Sequence, residues 1–175
     1  MSNFASVEAE QAVLGSMLID SGCVCRVAAI LRESDFSVAL NQDLYRVIVT
    51  MDRDGQPIDG LTVCAEALRQ SLAEEKTLRK YLAQLMEITP TAANVAEYAE
   101  IVAGTARRRE LKTALEDGLA ALADQAPEDE VLTQLDAAMT ASSQRLESEL
   151  LAPKEQVDGF LDYRAKIDEG NTPYV

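Results

Sequence analysis

The sequence contains no histidine and no tryptophan, and aromatic residues make up only 5 % of it. Histidine is the side chain most often used as a general base near neutral pH and as a metal ligand. Its absence removes the commonest routes to catalysis and to metal binding. With so few aromatic rings, a hydrophobic core must be built from aliphatic side chains, and the 47 % hydrophobic content is enough for one.

Phosphate-binding and nucleophile motifs are also missing. None of the eight glycines precedes a lysine, which excludes a P-loop, and no G-x-G-x-x-G is present. Carboxylate pairs occur at Glu8 with Glu10 and at Asp52 with Asp54, near the ends of predicted helices, where we interpret them as solubilising surface charges. We therefore expect no catalytic residue, no cofactor-binding residue and no metal ligand in this chain.

Cysteine is scarce, and the three residues present are Cys23, Cys25 and Cys64. Three thiols alone do not complete a tetrahedral zinc site. We interpret all three as small buried apolar residues in a reducing cytoplasm. No signal peptide and no stretch of about 18 apolar residues is visible. We therefore expect a cytoplasmic protein without membrane contact.

The chain is acidic, with a formal net charge of −14. Residues 1–105 and residues 106–175 each hold 8 basic and 15 acidic residues, so neither part is a charged tail. Such a surface repels phosphate backbones, and we expect no direct binding of nucleic acid by this segment. We interpret the one basic run, Arg107 to Arg109, as solvated surface or as salt-bridge partners of neighbours such as Glu110.

Apolar residues recur with helical spacing along most of the chain, and no segment shows sustained strand-like alternation. We predict an all-α fold, with a compact bundle of about six short helices over residues 1–106. A long helical hairpin follows over residues 107–150, then a linker helix and the start of a linker over residues 151–175. Ser6 is the predicted N-cap of the first helix. The inward faces of three helices predict the core residues Leu44, Ile48, Leu82, Leu85 and Val102.

The long predicted helix changes its apolar face partway along. A first stripe is formed by Val95, Tyr98, Ala99, Val102 and Ala106, and a second by Leu111, Leu115, Leu119 and Leu122. The nine residues from Val102 to Leu111 amount to about two and a half turns at ~100° each, so the second stripe faces away from the first. The second stripe therefore needs a surface other than the one that covers the first.

A further helix follows Pro127 and carries a heptad-like seam, made of Leu132, Leu135, Met139, Leu146 and Leu150. Two helices joined by a tight turn form a hairpin that buries too little to be stable alone, so we expect it to pack against a second copy. The alternative is that it folds back on the bundle. The predicted self-association interface consists of Leu111, Leu115, Leu119, Leu122, Leu132, Leu135 and Met139.

Several segments, in this order and at this spacing, resemble the N-terminal domain of the bacterial and phage replicative DNA helicase, the DnaB family. They are EAEQAVLGSMLID at 8–20, Asp35-Phe36, Leu44-Tyr45, GQPID at 55–59, YLAQL at 81–85 and TPTAANVAEYAEIV at 89–102. The resemblance is close from Ser6 to Arg109 and looser through the hairpin. The segment Pro153–Glu169 resembles the linker helix that precedes the family's RecA-like ATPase domain.

The resemblance implies a collar domain without ATPase activity of its own. In the family this domain is a helical bundle plus a hairpin, and it dimerises through the hairpins. Three dimers form a collar on a hexameric ring that unwinds DNA with ATP and Mg²⁺ bound in the C-terminal domain. The collar docks the C-terminal domain of primase in the primosome and, in some systems, a helicase loader. We therefore expect a homodimer of this chain and a trimer of dimers in the full-length hexamer.

Two departures from the family pattern stand out. Gln42-Asp43 replaces a basic His-Arg-type pair, and Thr77 to Lys80 replaces a Gly-Gly before the YLAQL segment. The positions that contact primase therefore cannot be carried over to this chain. Two functions remain open. The chain is the collar of an ATP-dependent helicase cut from a longer protein, or it is a small protein that binds a helicase as a loader or inhibitor.

Overall fold

The computed structural model describes residues 5–140 and 142–143. Every regular element within these residues is helical, which confirms the predicted all-α fold. The chain divides into two compact units between Thr113 and Ala114. The predicted boundaries at residues 106 and 150 stay predictions, and the predicted linker helix in residues 151–175 lies outside the described residues, as do Leu146 and Leu150.

Six helices have both ends described, and they are numbered in chain order. They are α1 (Val7–Ile19), α2 (Val24–Ile30), α3 (Ala39–Arg53), α4 (Gly60–Arg69), α5 (Glu75–Ile88) and α6 (Val95–Ala123). Residues 128–140 form a further helix, α7. Two short 3₁₀ turns, Ser21–Cys23 and Glu33–Asp35, flank α2.

The core of the first unit lies around α1, which packs against α3 and α5. All five predicted core residues are buried, which confirms the inward faces predicted for α3, α5 and α6. The largest fully buried side chains are Phe36, Leu14 and Met17. Because α1 is covered on most sides, it is apolar over most of its circumference.

No single helix of residues 5–140 is both long and apolar enough to cross a membrane. The bent pair Val7–Ile19 and Ser21–Ile30 meets the length and composition limits only when its two parts are taken together, and they meet at an angle of 119°.

The helix ends follow local chemistry. The Asp59 side chain accepts hydrogen bonds from the backbone N–H groups of Leu61 and Thr62 and so caps α4. These bonds lower the pKa of the Asp59 carboxyl. The prediction for α1 was wrong in one detail, because Ser6 occupies the N-cap position but its side chain makes no capping hydrogen bond.

Three helices end with a residue in the left-handed region. Gly55, Ser71 and Gln125 have φ values of 68°, 58° and 61°. In each case the next residue's N–H donates to a carbonyl five residues back, as from Leu72 to Ala67 at 3.1 Å, which is the Schellman arrangement. Gly55 therefore ends α3, while Ser71 and Gln125 take the same conformation with a side chain.

Candidate self-association surface

The motif residues of the first unit lie inside it and hold helices together. Glu10 is buried and accepts hydrogen bonds from the Ser37 backbone N–H at 2.7 Å and from Asn41 Nδ2 at 2.8 Å. The hydroxyl of Tyr81 donates to Asn41 Oδ1 at 2.6 Å and accepts from Gln11 Nε2 at 3.3 Å. This chain of bonds joins α1, α3 and α5. The interpretation of Glu10 as a surface charge was therefore wrong.

Gly15, the last residue of the EAEQAVLG motif, marks a close approach of α1 to the end of α5. A Cβ at this position would collide with the Leu85 carbonyl oxygen and with the Thr89 side chain. The backbone oxygen cannot move away without disturbing α5. The motif glycine is therefore explained by helix packing within the domain and not by a ligand.

The Asp-Phe and Leu-Tyr pairs of the resemblance also meet. Phe36 and Tyr45 place their ring centroids 4.9 Å apart. The hydroxyl of Tyr45 donates to the Leu31 carbonyl at 2.6 Å, and burial, with a contribution from Asp35, raises its pKa to about 12. Arg109 Nη2 donates to the Asp35 carbonyl at 2.7 Å. One member of the basic run thus anchors the backbone at Asp35.

The cysteines follow the sequence interpretation only in part. Cys23 and Cys64 are buried, as expected, but Cys25 is exposed and its thiol donates to Asp52 Oδ2 at 3.4 Å. This interaction raises the pKa of the Cys25 thiol. In the described part of the chain, no group of three or more Cys, Asp or Glu side chains is placed to hold a metal ion.

The second unit contains a hairpin in which α7 returns along the end of α6. In α6 beyond Thr113, only three residues are buried or half-buried, and they are Ala114, Gly118 and Ala121. In α7, only Val131, Leu135 and Ala138 are buried or half-buried. Leu135 Cδ2 lies 3.4 Å from the position that a Cβ on Gly118 would take. These six residues form the inner seam, in which the Leu135 side chain of α7 packs at Gly118 of α6.

Each residue of the inner seam is followed directly by a residue that points about 100° further round its helix. Because the two helices are antiparallel, those next residues lie on the same side of the hairpin. We call this side the outer face, and its apolar members are Leu115, Leu119, Leu122, Leu132 and Met139. All five are exposed, and Leu119 and Leu132 reach 69 % and 66 % exposure.

The outer face contains five of the seven residues predicted for self-association. Leu111 lies one turn before Leu115 in α6 and is also exposed. Leu135 differs, because it is half-buried in the inner seam. A row of exposed leucines on two adjacent helices can bury apolar area against another protein surface, at about 25 cal/mol per Å².

The fold defines an all-α bundle domain followed by a helical hairpin. A family model, the DnaB-like helicase N terminal domain, matches residues 2–104. That match covers more than half of the chain, which therefore belongs to the DnaB-like helicase N-terminal domain family. The resemblance found in the motifs is confirmed.

Individual relatives agree with this family. The chain is 39 % identical over 97 residues to the replicative DNA helicase DnaB of Geobacillus stearothermophilus, which is 55 % of this chain and 21 % of that protein. It is 40 % identical over 103 residues to the replicative DNA helicase DnaB of Mycobacterium leprae, which is 59 % of this chain and 17 % of that protein. The chain thus spans about a fifth of the length of these relatives.

The fold also matches a solved structure. The crystal structure of the N-terminal domain of DnaB helicase from Mycobacterium tuberculosis has a TM-score of 0.72 and 32 % sequence identity to this chain. The match covers 78 % of this chain and 97 % of that one.

Proposed function

We propose that this chain is the non-catalytic collar of a replicative DNA helicase and assembles through the outer face of its hairpin. Two copies pair about a two-fold axis, and three such pairs form the collar of a hexamer. The outer face is the observation that supports this proposal, because its five apolar side chains are left exposed by the described residues. Closed symmetric pairing would bury the same patch on both copies.

The family membership supports the remaining roles. The collar docks the C-terminal domain of primase, a helicase loader, or both, and acts in the cytoplasm as part of the primosome. ATP and Mg²⁺ are bound by the ATPase domain of the longer protein and not by this chain. The net charge of −14 suits a segment that does not touch DNA itself.

A matched pair of variants tests self-association. Leu119 and Leu61 are 69 % and 67 % exposed, and Leu61 lies at the start of α4 in the first unit. In the purified chain, Leu119→Glu should turn a dimer into a monomer by light scattering, with the helicity in circular dichroism unchanged. Leu61→Glu should remain dimeric, since it adds the same charge outside the outer face.

Two results would contradict the proposal. The wild type could be a monomer at high micromolar concentration, or both variants could stay dimeric. Docking is tested separately by titrating the chain with the C-terminal domain of a primase or with a loader in a calorimeter. Equal heats of binding for the wild type and for Leu119→Glu would place docking outside the outer face. Absence of heat with both partners would remove docking from the proposal.

A further inference from the structure

One charged residue interrupts the outer face. Asp136 directly follows Leu135 of the inner seam, so it points to the same side as the exposed leucines. Leu132 and Met139 stand four residues before it and three residues after it, which places all three on neighbouring turns of α7. Asp136 is exposed in the single chain.

The sequence around this carboxylate is poor in cations. Residues 113–144 contain no lysine, arginine or histidine, and the nearest basic residues along the chain are Lys112 and Arg145. The described part of the second unit holds seven acidic residues, namely Glu116, Asp117, Asp124, Glu128, Asp129, Glu130 and Asp136. In the described part of the second unit, two copies that meet through their outer faces therefore bring together acidic charges and no basic ones.

We infer that Asp136 limits the strength and sets the salt dependence of pairing between two copies. This inference rests on the proposed function, because it concerns the same surface. Pairing removes water from Asp136 and supplies an apolar or acidic neighbour in its place, and a charge that is desolvated without a partner opposes association. The leucines supply the attraction, and the carboxylate holds the pair to a weak, reversible contact.

The inference predicts an unusual response to salt. An interface held by ion pairs weakens as salt is added, whereas one opposed by like charges strengthens. The Debye length falls from ~10 Å at about 0.1 M salt to ~3 Å at about 1 M, so added salt should screen the repulsion between the two hairpins. The dissociation constant of the dimer should therefore fall as NaCl is raised.

Asp117 provides a matched control. It directly precedes Gly118 of the inner seam, so it lies on the side of the hairpin opposite the outer face, and it is exposed. Asp117→Asn and Asp136→Asn remove the same charge from the same hairpin. Sedimentation equilibrium of the full chain should show a dissociation constant about tenfold lower for Asp136→Asn and within about twofold of the wild type for Asp117→Asn. The response to NaCl should be smaller in Asp136→Asn than in the wild type.

Three results overturn parts of this picture in distinguishable ways. A wild-type dimer that Leu119→Glu disrupts, but that Asp136→Asn leaves unchanged or weakens, overturns this inference and leaves the proposed function intact. Equal tightening by both Asn variants also overturns it, because net charge and not position would then be the cause. Monomers for the wild type and for Asp136→Asn at high micromolar concentration overturn the proposed function and the inference together.

Discussion

The carboxylate of Glu10 accepts a hydrogen bond of 2.8 Å from the side-chain amide of Asn41, and both residues are buried. Glu10 also accepts from the backbone N–H and the hydroxyl of Ser37, just before α3 begins. One carboxylate thus satisfies donors at the start of α3 and ties that helix to α1. Its place in the EAEQAVLG motif has a structural cause.

Replacing Glu10 with glutamine should destabilise the first unit. The amide keeps the shape but turns one acceptor into a donor that faces other donors, and hydrogen bonds to a charged group contribute about 1.5–3 kcal/mol each. We expect a loss of at least about 2 kcal/mol in urea denaturation. Glu8→Gln is the control, since Glu8 is exposed two residues away. Equal stability of the two variants would contradict the assigned role of Glu10.

Gly15→Ala should destabilise the chain, while Gly104→Ala should not. The methyl group at position 15 meets the Leu85 carbonyl, and overpacking of this kind costs typically 1–3 kcal/mol. At Gly104 the nearest atom is Arg107 Nη2 at 3.7 Å, so alanine in the helix interior should stabilise by roughly 0.5–1 kcal/mol. Thermal melts of both variants check this. A Gly15→Ala variant more stable than the wild type would contradict the close approach of α1 to the Leu85 carbonyl of α5.

The left-handed helix ends predict opposite effects of glycine and alanine. Ser71→Gly and Gln125→Gly should raise the stability by up to about 1 kcal/mol, because glycine has no Cβ to strain at positive φ. Gly55→Ala should lower it by a similar amount. At Gly55 the positive φ is the only cause of the expected loss of stability, since no atom lies within 4 Å of an added Cβ. Denaturant midpoints that move in the reverse directions would contradict the cap assignments.

The cap of α4 should give a pH-dependent contribution to stability. The pKa of Asp59 is lowered in the folded state by the N–H groups of Thr62 and Leu61. Its contribution is therefore complete above the unfolded-state pKa of about 4 and is lost as the pH falls through the lower folded-state value. The difference in melting temperature between wild type and Asp59→Ala should be largest at neutral pH and shrink below about pH 4.

Asp59→Asn is the matched control for that titration. Asparagine caps helices about as well as aspartate but carries no charge, so the Asn variant should keep the cap at low pH. A difference between wild type and Asp59→Ala that is independent of pH would show that the carboxylate's charge has no part in the cap.

Helical periodicity was enough to predict the core of the first unit. Leu44 and Ile48 recur at the spacing of one helix face, as do Leu82 and Leu85, and all four are buried. Periodicity could not find the place of Glu10, because its donors come from Ser37 and Asn41, about 30 residues later in the chain. Acidic composition alone suggested a surface position.

The hairpin shows a second limit of the sequence pattern. Leu132, Leu135 and Met139 form one heptad-like seam in the sequence, yet Leu135 packs at Gly118 while Leu132 and Met139 are exposed. The spacing could not tell the packed residue from the exposed ones, because this depends on which side of α7 faces the small residues Ala114, Gly118 and Ala121. Those small residues were the available signal, since small side chains permit close approach of another helix.

The inner seam has a consequence for how this protein can change over evolutionary time. The family model ends at residue 104, before the seam begins, and the motif residues Glu10, Gly15 and Tyr81 belong to the first unit. Each outer-face residue directly follows a residue of the inner seam in the sequence but is not part of the seam. Substitutions at the outer face would change the surface that the hairpin presents, while the side chains that close the hairpin stay in place. With the pairing that we propose, changes at a few exposed positions would alter which copies pair without disturbing the fold of the hairpin.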